Sequence, residues 1–203
     1  PPWRGVALTL VLLWSLALTL HLVPGFDNLR VLDKVQAGPA SVPFTLYLNL
    51  DKPLIFFALL LAIPGMLGPG GTMRWRPLAL LILPLAALLI TAWQVGALKP
   101  EAGLPHWWWL FAFNNLLFTC VAEEALFRGC IQQGVASRST PWAGLLVASL
   151  LFGAAHLAGG PLLVLFAALA GACYGLAFQL SGRLSVAILL HFLFNFAHLA
   201  LFT

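Results

Sequence analysis

Apolar residues run along this chain in long blocks with little polar interruption, and turn-forming residues separate the blocks. Seven blocks stand out, at about 6–23, 53–68, 78–98, 107–128, 142–157, 161–180 and 184–202. Runs of this length, without strict alternation, predict helices rather than strands. Pro24-Gly25, Gly68-Pro69-Gly70-Gly71, Lys99-Pro100, Ser139-Thr140-Pro141, Gly159-Gly160-Pro161 and Ser181-Gly182 break the chain between blocks. Pro64 and Pro84 fall inside blocks, where each is expected to kink its helix. The second and fifth blocks, at about 16 residues, are short for a span, which implies tilt, extension into loops or partial re-entry. Trp107, Trp108 and Trp109 open the fourth block, the place of an aromatic belt at the headgroup level. The interval 25–52 is the long polar stretch. It reads equally as an amphipathic surface element or a plain loop, and an eighth short helix would fit inside 25–50.

Composition decides what solvent these blocks face. The 203 residues are 62% hydrophobic and 8% charged, with a mean hydropathy of +0.98. A soluble domain carries about 25% charged residues, and at this size it could not hide so much apolar surface. Lipid is therefore the solvent, and the length allows roughly seven spans of about 20 residues. The expected fold is all-α: one polytopic transmembrane helix bundle over residues 1–203, with seven helices, or eight if 25–50 adds one. Block 6–23 lacks a small-x-small cleavage site and reads as a retained first span.

Charge and cysteine content narrow the class further. The net charge is +4, but the basic residues are spread over short loops, and no basic cluster with a nucleic-acid motif is present. No nucleic-acid partner is expected. With seven spans, Arg4, Arg74, Arg76, Arg128, Arg138 and Arg183 share one side, against Arg30, Lys34, Lys52 and Lys99 on the other. That bias predicts a cytoplasmic N-terminus. Cys120, Cys130 and Cys173 are an odd number in apolar segments, so they read as small core residues rather than a disulfide framework.

The polar residues inside the blocks carry the candidate chemistry. Glu123 and Glu124 sit together in the fourth block, and an ionisable residue at mid-bilayer costs about 2.5–3.5 kcal/mol. Glu124 and Arg128 are spaced i,i+4 and can pair on one helix face. Glu123 points about 100° away with no partner on its own helix, which leaves it available for chemistry. The alternative is that both carboxylates only join neighbouring helices. The fifth block ends Phe152-Gly-Ala-Ala-His156, and its small residues admit a close neighbour backbone. In the seventh block His191 and Asn195 share a face, with His198 two turns on and close to the chain end. Each of these could simply glue helices together. A rise of 1.5 Å per residue puts Glu123, His156 and His191 about 15, 21 and 12 Å from helix ends on one membrane side. They can therefore meet near mid-bilayer.

Glu123-Glu124-x-x-x-Arg128, Phe152-x-x-x-His156 and His191-x-x-x-Asn195 together resemble the signatures of the CAAX protease and bacteriocin-processing family. That family includes type II CAAX prenyl endopeptidases similar to the Ras-converting enzyme. The resemblance spans about residues 107–200, the expected catalytic core, and its motifs fall in order on successive blocks. It implies an intramembrane endopeptidase in which Glu123, helped by His156, activates water. His191 and Asn195 would stabilise the oxyanion, Glu124 and Arg128 would support the site, and Phe152 would pack beneath it. It further implies a multi-pass protein of a bacterial inner (cell) membrane and a glutamate-dependent mechanism without a metal.

The chemistry agrees with that implication. Amide hydrolysis needs an activated water, an oxyanion stabiliser and a proton donor for the leaving amine. No Ser or Cys paired with a base stands out for covalent attack. Zinc is the rival, since two His and a Glu can ligate it, but no His-Glu-x-x-His helix is present. The expected partners are the lipid bilayer and a membrane-anchored peptide or protein substrate: a prenylated-type tail, a bacteriocin-type precursor or a C-terminal sorting tail. A non-catalytic binding or immunity protein, and a transporter with a polar midplane site, are the competing classes. The lack of an obvious internal repeat counts against the transporter.

Overall fold

The computed structural model describes residues 3–19 and 22–202; residues 20 and 21, within the first block, lie outside them. Helical runs form in all seven blocks: α1 (Trp3–Thr19), α2 (Asp51–Ala62), α3 (Trp75–Gln94), α4 (Trp108–Ala136), α5 (Pro141–Ala154), α6 (Gly160–Ser181) and α7 (Leu184–Leu201). Among the described residues, α3, α4, α7 and the run Leu157–Ser181 that contains α6 are long and apolar enough to cross a membrane. This is a helical integral membrane protein. Seven helices match the expected number, and among the described residues α1, α2 and α5 are shorter than these four.

Each short element has a local cause. Helix α2 has only 12 residues because the chain stops at Ile63-Pro64; Pro64 ends the helix rather than kinking it. Helix α3 is interrupted at Leu81. Pro84 has no N–H for the carbonyl of Leu80, so the ladder is broken there. Helix α5, with 14 residues, starts on the Thr140 hydroxyl, which accepts from Ala143 N at 3.1 Å.

The all-α expectation missed one element. The interval 25–52 contains an antiparallel hairpin, β1 (Leu29–Val35) and β2 (Phe44–Leu48), not an amphipathic helix or plain loop. Thr45 and Tyr47 alternate with Phe44, Leu46 and Leu48, a strand period that mixed charges in β1 obscure. Leu32 pairs with Leu46 and Val35 with Phe44 across the ladder. A two-stranded hairpin is marginal alone, and this one is held by packing. Phe44 stacks on Trp107 at 5.4 Å, and the Glu101 carboxylate accepts from Ala40 N at 3.2 Å. Trp107 is therefore buried against the hairpin, while Trp108 and Trp109 face outward as a belt requires.

Glycines set the closest helix contacts. A Cβ on Gly153 would lie 2.7 Å from Val164 O, so α5 and α6 meet backbone to backbone, as the small residues at 153–155 imply. Gly182 takes a left-handed φ of +63° to end α6. Its carbonyl then accepts from Gly70 N at 2.9 Å, and Leu184 N donates to Leu67 O at 2.9 Å. These bonds clip the α2–α3 loop to the α6–α7 turn. Outward residues such as Ile82 and Leu83 on α3, or Leu189 and Leu193 on α7, are exposed apolar side chains that suit lipid. All three cysteines are free, and Cys120 and Cys173 are buried, as core residues would be.

Candidate active site

Helix α4 organises the polar residues, and it is not a uniform α-helix. Two π-helical stretches, Asn115–Cys120 and Ala125–Gln132, flank the turn Val121–Glu124. Widened turns of this kind recur at functional sites, because each re-aims the side chains that follow it. Here they keep Asn115, Glu124, Arg128 and Gln132 all turned into the protein.

Glu124 and Arg128 are both fully buried and paired, with Arg128 Nε 3.1 Å from Glu124 Oε2. That is the i,i+4 pair expected from spacing. The other Glu124 oxygen, Oε1, lies 2.8 Å from His191 Nδ1. Arg128 Nη2 donates to Gly171 O at 2.6 Å, and the guanidinium lies over the Phe152 ring at 4.8 Å. Gly171 allows this approach, because a Cβ there would sit 3.0 Å from Phe152 Cδ1 and 3.1 Å from Arg128 Nη2. Tyr174 stacks on His191 at 4.5 Å with a 14° interplanar angle. Phe152 touches both histidines, at 4.9 Å to His156 and 5.6 Å to His191. Side chains and backbone from four helices, α4 to α7, thus fix one buried charge cluster.

Glu123 faces the other way, into a cavity of about 570 Å³. His156 lines the same cavity, with Lys52 of α2 and apolar walls from Ile55, Leu126 and Phe127. His156 reaches it because α5 stops at Ala154, and its 14 residues rise only about 21 Å. His156 Nδ1 lies 2.8 Å from Phe152 O. A carbonyl only accepts, so Nδ1 carries the hydrogen, and in the neutral ring Nε2 holds the lone pair.

Two expectations change. Glu123 is not unpaired, because Lys52 Nζ lies 3.3 Å from its Oε1. Nor do His191 and Asn195 line the cavity with Glu123 and His156. His191 is buried behind it on Glu124, and Asn195 Nδ2 donates to Asn115 Oδ1 at 3.3 Å. Spacing along α7 could not show which of its neighbours these two side chains would meet.

Sequence reasoning passed over Lys52, Asn115, Gly171 and Tyr174. Lys52 was counted as a loop charge, and nothing in its neighbours signals otherwise. Gly171 had a usable signal, the Gly171-x-x-x-Gly175 spacing that marks close helix contact. The second glycine serves the same face, where Gln132 Nε2 donates to Gly175 O at 3.0 Å. Among the described residues, no three His, Cys, Asp or Glu side chains gather as a metal site. His191 Nδ1 is engaged by Glu124, which also holds Arg128.

A helical membrane protein with a buried Glu-Arg-His cluster behind a Glu- and His-lined cavity is the class these observations define. Residues 105–197 match the family model of type II CAAX prenyl endopeptidase Rce1-like proteins. The match takes in every signature residue and somewhat less than half of the chain; α1 to α3 and the hairpin precede it. No curated protein and no solved structure matches the chain.

Proposed function

We propose that the protein is an intramembrane endopeptidase that hydrolyses a membrane-associated peptide with water activated by Glu123 and His156. The observation that carries this reading is that an acid and a histidine with a free Nε2 share one largely apolar cavity. The Rce1-like match over the same residues supports it.

In this reading a water held between Glu123 and His156 Nε2 attacks the scissile carbonyl carbon. Glu123 takes the water proton as the C–O bond forms, and the carbonyl oxygen becomes an oxyanion. The tetrahedral intermediate collapses with cleavage of the C–N bond, and the proton passes to the leaving amine. Asn195 and His191 are assigned to the oxyanion. Asn195 would turn its amide away from Asn115. His191, whose Nδ1 is engaged by Glu124, would donate from Nε2 with both ring nitrogens protonated. Glu124 and Arg128 act through His191, and Phe152 through both imidazoles. Lys52 contributes a positive charge beside Glu123.

The substrate class is a membrane-anchored tail or precursor of the prenylated, sorting-signal or bacteriocin type. The proposed setting is a bacterial inner membrane with a cytoplasmic N-terminus. Removing Arg128 and Lys52 from the tally of loop charges, because both are inside the fold, leaves five basic residues against three, the same bias.

The test is Glu123→Gln in purified, reconstituted protein, read by mass spectrometry of membrane-protein termini. Cleavage should fall below detection while the variant inserts and melts like the native protein. Native-level cleavage by Glu123→Gln would refute the assignment.

A further inference from the structure

We propose that the groove between β2 and α4 is a substrate-binding subsite that holds an extended peptide backbone as a third strand and feeds it to Glu123. This rests on the endopeptidase reading and adds where, and in what conformation, the substrate lies.

The groove has a volume of about 300 Å³ and is lined on one side by Phe44, Thr45, Leu46 and Tyr47. Successive strand residues point to opposite faces. A space that touches four in a row runs along the edge of the strand, not over one face. The sheet has only two strands, so β2 has one edge that β1 does not occupy. The opposite wall is the start of α4, with Asn114, Asn115 and Thr119.

A second observation points to a ligand there. Asn114 is 5% exposed, lines the groove, and its Oδ1 has no hydrogen-bond partner among the described residues. A buried amide oxygen without a donor is costly, and a peptide N–H is the donor that a strand alongside would bring. The lining amides and hydroxyls suit a backbone, which presents alternating donors and acceptors.

The groove also leads to the proposed chemistry. On α4, Thr119 of the groove is followed one turn later by Glu123 of the cavity, a rise of about 6 Å. On the facing wall, Asn49 of the groove is followed three residues later by Lys52 of the cavity. Both walls pass from one recess into the other. Asn115, in the groove wall, holds Asn195. An extended chain advances about 3.4 Å per residue, so four or five residues fill the groove before the scissile bond reaches Glu123.

The experiment uses the reconstituted native protein and a fluorescent membrane-anchored peptide that it cleaves. Single backbone N-methyl groups are scanned along the four or five residues on each side of the scissile bond. On the groove side, alternate N-methylations should raise KM about 3- to 10-fold, the loss of one backbone hydrogen bond, with kcat within twofold. Asn114→Leu should raise KM similarly for the full peptide and not at all for one truncated on that side. A flat N-methyl scan on both sides overturns the proposal without recourse to any variant. Equal effects of Asn114→Leu on full and truncated peptides would also overturn it. If Glu123→Gln cleaves normally, the endopeptidase reading falls instead; the same scan, read as binding of the labelled peptide, still decides the groove.

Discussion

Replacing Arg128 with methionine isolates the energetic weight of the buried cluster. The guanidinium is 0% exposed and has the Glu124 carboxylate at 3.1 Å and the Gly171 carbonyl at 2.6 Å. Methionine fills much of the same volume beneath Phe152 but supplies no charge. Glu124 would then be a buried carboxylate facing only His191. Breaking a buried ion pair by removing one partner costs about 3–5 kcal/mol, mostly the stranded charge. Glu124→Gln strands Arg128 and belongs in the same range. The double variant Glu124→Gln/Arg128→Met leaves neither a carboxylate nor a guanidinium stranded, and Gln can still accept from Nδ1 of a neutral His191. It should cost about 1–2 kcal/mol, less than either single change. The expected coupling is about 4 kcal/mol or more, read from denaturant unfolding of the three variants in detergent. Additivity within about 0.5 kcal/mol would refute the claim that these two side chains form one charge-balanced unit.

Other substitutions separate scaffold from chemistry. Lys52→Met should cut kcat at least tenfold yet shift unfolding by no more than about 1 kcal/mol, because its partly exposed pair adds little stability; native turnover would remove Lys52 from the mechanism. Gly171→Ala should destabilise by about 1–3 kcal/mol through overpacking of Phe152 and Arg128, measured by thermal unfolding in detergent. Complete chelation should leave cleavage intact; loss that only zinc add-back restores would reinstate a metal.

Much of this fold is legible from apolar block length and breakers, since lipid forces backbone hydrogen bonds into helices. The Glu124–Arg128 pair is legible because both partners lie on one helix, where spacing fixes geometry. What spacing could not reach was contact between segments. Lys52 meets Glu123 across 71 positions of chain, and the Glu124–His191 bond spans 67. The hairpin hid because charged residues in β1 blur its alternation and a polar interval in a membrane chain suggests a loop. The π turns left no trace in composition either, although they decide which α4 residues face inward.

The shortness of α5 has a consequence for the lipid as well as for His156. A helix rising about 21 Å falls well short of a hydrocarbon layer about 30 Å thick. Lipid beside it must compress, or headgroups must dip, to cover its end. The proposed hydrolysis would consume water in a place where water is scarce, and such a dimple would bring the aqueous phase nearer to Glu123. In that reaction the missing helical turns would make the surrounding bilayer part of the delivery route for the second reactant.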